Sequence, residues 1–357
     1  MASVSPTASR RILRLALGTA LSMLFSQMIS WPLSFIAPVF TMFILALPLR
    51  APRLKAGITF MVALLLPLVA GLAILPFLHH ARWVGVLLIA LGLYYSFYYT
   101  ARGGSPVLGN FMTIGLTVMV TVGSVSIEIM LPLIGGLAAG AAAGLCFVWL
   151  AHALIPEAPA ITEAKPKPAR PAPAPEIARR NAWRSMAITF PVALVFLFLS
   201  ASPTYTVVMI KVASMGQQAN ADQSRQMANS LILSTVLGGL GAIVGWQILS
   251  IWPSLLMYTL LIALASLIYG RGIFKGEALH PKFSMWSYAL LTMIVILAPA
   301  VTDSMVGSDA GAAFWWRLFL FFVIAIYGRI AVAVFDAFWS GTKNRENLAE
   351  NQSPVGS

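Results

Sequence analysis

Only a handful of side chains inside the apolar stretches of this 357-residue chain can carry charge, and these are the places to look for chemistry. A charged group near the centre of a bilayer costs on the order of 2.5–3.5 kcal/mol on insertion scales, so it persists where it is paired, hydrated or used. Lys211 is the sharpest case: in the short run TVVMIKVASMG its ammonium must either snorkel to an interface or face a polar interior, where it would hold an anion or a proton. Arg329 and Asp336 stand seven residues apart on one late apolar stretch, hence on one helical face about two turns apart, a spacing that allows an intramembrane polar network. Asp336 is also near enough to the end of its stretch to be simply wet. Glu128, in SVSIEIMLP, either titrates as a proton carrier or rests at an interface. Asp303 and Asp309 fall in a connection and read as solvated.

Other chemistries find no support. His79 and His80 have no carboxylate or third ligand at helical spacing, so no metal site is expected. The single cysteine, Cys146, lies in an apolar run and reads as a packing residue. No phosphate loop, nucleophile elbow, zinc-protease helix or dinucleotide fingerprint occurs in a suitable context, so the chain is expected to be no enzyme and to carry no cofactor.

The elements that must position these residues are long apolar helices. Hydrophobic residues make up 59% of the chain and charged ones 10%, against roughly 25% in an ordinary soluble domain, which excludes a water-soluble fold. Runs of about twenty apolar residues predict an all-α polytopic membrane protein of about twelve transmembrane helices. Six spans lie between Ile12 and Ile155 and six between Met186 and Phe338; Tyr205–Met215, which carries Lys211, is short and reads as broken or re-entrant. Gly136, Gly140 and Gly144 form two overlapping GxxxG steps, and Gly241 with Gly245 repeats the pattern, so these are helix-packing faces that also admit a homo-oligomer.

The net charge of +12 would suggest nucleic acid in a soluble protein, but here the bases sit between apolar runs and so point to orientation in the lipid bilayer rather than to a nucleic-acid partner. With both termini cytoplasmic, nineteen of the 23 basic residues fall on cytoplasmic segments, leaving Arg82 and Arg317 at external helix mouths and Lys211 and Arg329 within spans. Arg10, Arg11 and Arg14 precede the first apolar run without a clear cleavage site, so that run reads as an uncleaved helix.

The chain divides into a first six-helix half (residues 1–155), a Pro/Ala-rich cytoplasmic linker (156–178), a second six-helix half (179–340) and a cytoplasmic tail (341–357). Arg10-Arg11, a helix and Trp31-Pro32 answer to Arg179-Arg180, a helix and Ser202-Pro203; Tyr99-Thr100-Ala101-Arg102-Gly103 answers to Tyr269-Gly270-Arg271-Gly272. Six spans is an even number, so both halves enter the membrane from the same side and the repeat is parallel.

The opening RRILRLALGTALSMLFSQMISWPLSFIAPVFTMFILALPLRAP and the turn around Arg102-Gly103 resemble the fusaric acid resistance superfamily, which includes aromatic acid exporters, over roughly residues 10 to 155. That resemblance implies a proton-driven inner-membrane exporter of small aromatic or anionic compounds, working with a periplasmic membrane fusion protein and an outer-membrane channel. The chain lacks the large cytoplasmic domains of the longer members. Lys211 and Arg329 are the expected anion-attracting groups, with Glu128 and Asp336 as proton carriers. The alternative is a non-transporting membrane scaffold of an envelope or secretion complex.

Overall fold

The computed structural model describes residues 5–30, 33–123, 127–156, 173–198, 208–209, 211–217, 225–275, 278–306 and 309–352. Its helices are α1 (Pro6–Ile29), α2 (Ile36–Leu45), α3 (Leu54–His80), α4 (Arg82–Ala101), α5 (Pro106–Gly123), α6 (Ile127–Leu154), α7 (Pro175–Phe198), α8 (described at 208–209 and 211–217), α9 (Arg225–Ile251), α10 (Leu255–Ile273), α11 (Phe283–Val306) and α12 (Ala310–Gln352). The only strands among the described residues pair Phe274 with Leu279 and Lys275 with Ala278 in a two-stranded hairpin after α10. Among the described residues, eight helices are long and apolar enough to cross a membrane: α1, α3, α4, α6, α9, α10, α11 and the Ala310–Phe338 part of α12. Their outward faces carry large apolar side chains such as Leu66, Leu87, Leu256 and Ile330, as lipid requires. The protein is therefore an all-α, multi-pass membrane protein.

Helix boundaries follow from local chemistry. Ser5 caps α1, its Oγ accepting from Ala8 N at 3.2 Å, and Pro6 stands in the first turn where its missing N–H costs nothing. Ser254 caps α10 in the same way, accepting from Met257 N at 3.1 Å. Asp309, expected to be merely solvated, caps α12 by accepting from Ala312 N at 3.1 Å.

One of the expected spans falls short. The apolar run Leu33–Pro48 yields only the ten-residue α2, about 15 Å long, half of a roughly 30 Å hydrocarbon core. Residues 48–53 then continue without regular secondary structure. α8, inside the expected Tyr205–Met215 span, is helical over 211–217. At the other end of the linker, α7 begins at Pro175, inside the stretch read as extended chain.

Small residues let these helices approach closely. A Cβ on Gly140 would come within 2.9 Å of Ile36 Cγ2, and one on Gly144 within 3.0 Å of Ala37 O, so α6 lies backbone to backbone against α2. Thr41 Oγ1 donates across the same contact to Gly144 O at 3.2 Å. Gly136 is buried on α6 as well, and Gly241 and Gly245 face Met293 and Leu297 of α11. The pairings expected from the GxxxG pattern are thus contacts within the chain.

α11 is the central element, with 72% of its apolar window buried against 33% for α3 and α12. α1 packs on α10, α2 and α6; α4 packs on α7; α3 lies along α5, and α9 along α11 and α12.

Candidate functional site

α8 is enclosed on every side: all of residues 211–217 are buried. Lys211 is 1% exposed, and its ammonium donates to Thr292 Oγ1 of α11 at 2.8 Å and lies 5.9 Å from the centre of the Phe321 ring of α12. Thr292 Oγ1 itself donates to Tyr288 O at 2.8 Å, which turns its lone pairs toward the ammonium. Gly238 of α9 presses on this site: an added Cβ would stand 2.6 Å from Thr292 Cβ. A lysine ammonium has three donors, and one hydroxyl and one aromatic face are modest compensation for a buried charge. No carboxylate among the described residues pairs with Lys211. Snorkelling is not what this side chain does, because it ends near the middle of both α11 and α12.

Further along α8 comes a polar layer. Gln217 Nε2 donates to Gly109 O at 2.8 Å and to Thr113 Oγ1 at 2.7 Å, both on α5. Ser96 of α4 lies 2.8 Å from Thr113 Oγ1. The amide orientation of Gln217 is fixed because Gly109 O can only accept. Its Oε1, Asn110 Oδ1 and Thr189 Oγ1 are buried without hydrogen-bond partners among the described residues. Gly216 sits where any Cβ would strike Thr189 Oγ1 and Phe97, so α4, α7 and α8 meet there.

The remaining intramembrane charges are satisfied or face outward. Asp336 is held by Arg184 Nη2 at 2.9 Å, with Arg180 Nη2 at 3.8 Å, both from α7. Arg329, expected to share its network, is instead exposed on α12, on the side of Ile326 and Ile330, and makes no ion pair among the described residues. A long side chain on a lipid-facing stripe can reach the interface, which separates it from the interior lysine. Glu128 is in the first turn of α6, and its side chain lies outside the described residues. Asp303, read from sequence as solvated, belongs to α11 and pairs at 2.6 Å with Arg317 of α12, a residue 4% exposed.

Sequence reasoning also placed Arg14 and Arg184 in the aqueous loops, whereas both are 3% exposed. Arg14 Nε and Nη2 donate to Ile155 O at 3.1 and 2.9 Å, closing the carbonyl end of α6. Arg184 instead reaches from α7 to α12, its Nη2 donating to Asp336 Oδ2 at 2.9 Å. The signal was present in the shared spacing of Arg10 with Arg14 and Arg180 with Arg184, four residues in each case.

α2, which follows α1, is a short helix, and a broken span is a usual pointer to a binding site in membrane transporters. Residues 11–151 match a family described as protein of unknown function (DUF2955). The match runs from the start of α1 to the end of α6 and covers Glu128, Gly136, Gly140 and Gly144, while Lys211, Arg329 and Asp336 lie beyond it. No curated protein and no solved structure matches the chain.

Proposed function

We propose that the protein is a secondary transporter of the bacterial inner membrane that exports small amphipathic, aromatic or anionic compounds in exchange for protons, with Lys211 as the group that binds the anion. One observation carries this reading: a lysine ammonium 1% exposed, mid-bundle, on a buried helical segment, with one hydroxyl acceptor and no carboxylate among the described residues. A carboxylate substrate supplies the missing counter-charge in a low-dielectric site, and the face of Phe321 suits an apolar or aromatic body. Membrane interiors tolerate such a cost where it is used.

The arrangement of two parallel six-helix repeats with both termini cytoplasmic belongs to the same proposal. It is supported by the helix pairings, since α1 of the first half packs on α10, the fourth helix of the second, and α7 packs on α4. The resemblance of the first half to fusaric acid resistance exporters supports the substrate class and the participation of a periplasmic fusion protein and outer-membrane channel.

The test is the accumulation of a panel of aromatic carboxylates in cells with and without the protein, before and after a protonophore collapses the gradient. The expected result is lower accumulation that disappears with the gradient and with Lys211→Ala, the variant remaining in the membrane. Wild-type export by Lys211→Ala overturns the site; no difference across the panel, with inserted protein, favours the scaffold alternative.

A further inference from the structure

A cavity of ≈ 570 Å³ opens between the end of α2, the start of α3 and the start of α5. We propose that it is the intake vestibule for a small amphipathic carboxylate, which docks with its anionic end between Arg53 and Lys55 and its apolar end against Phe60 and Leu108; this deepens the transport reading above and rests on it.

Three features of the cavity favour that occupant. Its volume falls in the range of small-molecule sites, about 300–1,000 Å³. Its walls are overwhelmingly apolar while its rim carries two cations and the Ser105 hydroxyl, a charge arrangement complementary to an amphipathic anion. Leu47, Leu49 and Arg53 belong to the stretch between α2 and α3, most of it without regular secondary structure, and binding residues commonly sit on such connecting loops.

The vestibule connects to α8 through one chain of contacts. Leu108 lines the cavity, the next residue, Gly109, accepts from Gln217, and Gln217 lies on the same helix as Lys211. Gln217, Thr113 and Ser96 form a polar layer where α8 meets α5 and α4. A second cavity, of ≈ 430 Å³, lies among α9, α10 and α11 and is lined by Trp246, Tyr258 and Ser304 with no Lys or Arg, so it lacks such a cationic rim.

The test uses cysteine protection in the full-length protein reconstituted in phosphatidylcholine vesicles. In a Cys146→Ala background, Thr59→Cys places one thiol on the cavity wall. Modification by an anionic methanethiosulfonate is expected to outpace that by a cationic one, because the rim attracts the former. Millimolar cinnamate is expected to slow the anionic reagent several-fold. Arg53→Gln with Lys55→Gln should abolish both effects, while Lys211→Met should leave the protection in place. Absence of protection by cinnamate overturns the vestibule, as does protection that survives the double glutamine variant. Protection by added phosphatidylglycerol in place of cinnamate also overturns it, by assigning the cavity to a lipid. Protection without cinnamate flux retains the vestibule and removes the transport reading; flux without protection does the reverse.

Discussion

At the scale of single residues, the molecule separates three kinds of intramembrane charge that look alike in sequence. Arg184 and Arg317 are buried and matched to Asp336 and Asp303. Arg329 is exposed on the bundle surface, and Lys211 is buried with a hydroxyl and a ring. Lys211 was legible from hydropathy alone, because a lysine inside a short apolar run has no cheap explanation. The arginine pairs were not, since their partners lie on helices far along the chain and the rule that assigns bases to loops moved Arg14 and Arg184 into water. The difference in kind sets opposite outcomes for mutation. Lys211→Met removes a desolvated charge and keeps the side-chain length, so the unfolding midpoint in detergent should stay level or rise, by the equivalent of up to about 3 kcal/mol, while anion binding is lost. A lowered midpoint would make Lys211 a structural group. Asp336→Asn, in contrast, takes the carboxylate from a buried guanidinium and should cost about 1–3 kcal/mol, less than a fully buried pair because Asp336 is 38% exposed. Adding Arg184→Met should recover much of that loss in the same assay; if the double variant is no better than Asp336→Asn, the pair does not act as a unit.

At the scale of elements, the short helix α2 shapes the packing of the helices around it. The glycine spacing on α6 announced a packing face, and the structure supplies its partner: α2, whose backbone it meets at Ile36, Ala37 and Phe40. What the sequence did not convey is that α2 stops after ten residues. Leu47 and Leu49 are as apolar as the helix before them, and the break comes from the run Pro48 to Pro52, whose two prolines withhold backbone donors, together with the cavity that accommodates it. Gly144→Val should therefore drive α2 off α6 and destabilise the protein by about 1–3 kcal/mol, whereas Gly135→Ala, where an added Cβ meets nothing within 4 Å, should be neutral. Thermal unfolding of the two variants side by side checks this, and equal midpoints would mean that the α2–α6 contact is slack.

At the scale of the whole molecule, composition and run length sufficed for the class, an all-α multi-pass membrane protein, because water cannot solvate a chain that is 59% hydrophobic. The interior order of the helices was not readable: diffuse apolar faces do not say that α11 is central or that α1 lies on α10. The reciprocal contacts, α1 with α10 and α7 with α4, predict that both termini lie on one side. Impermeant labelling of cysteines placed in each terminal segment should modify both, or neither, from a given face of sealed vesicles, and opposite accessibility would refute the paired six-helix arrangement. The central claim concerns Lys211, and the most direct measurement is proton-gradient-driven flux of radiolabelled cinnamate in vesicles containing purified wild-type protein or Lys211→Met. The account predicts gradient-dependent flux in the first and the background of protein-free vesicles in the second, with both proteins folded; equal flux through the two would contradict it.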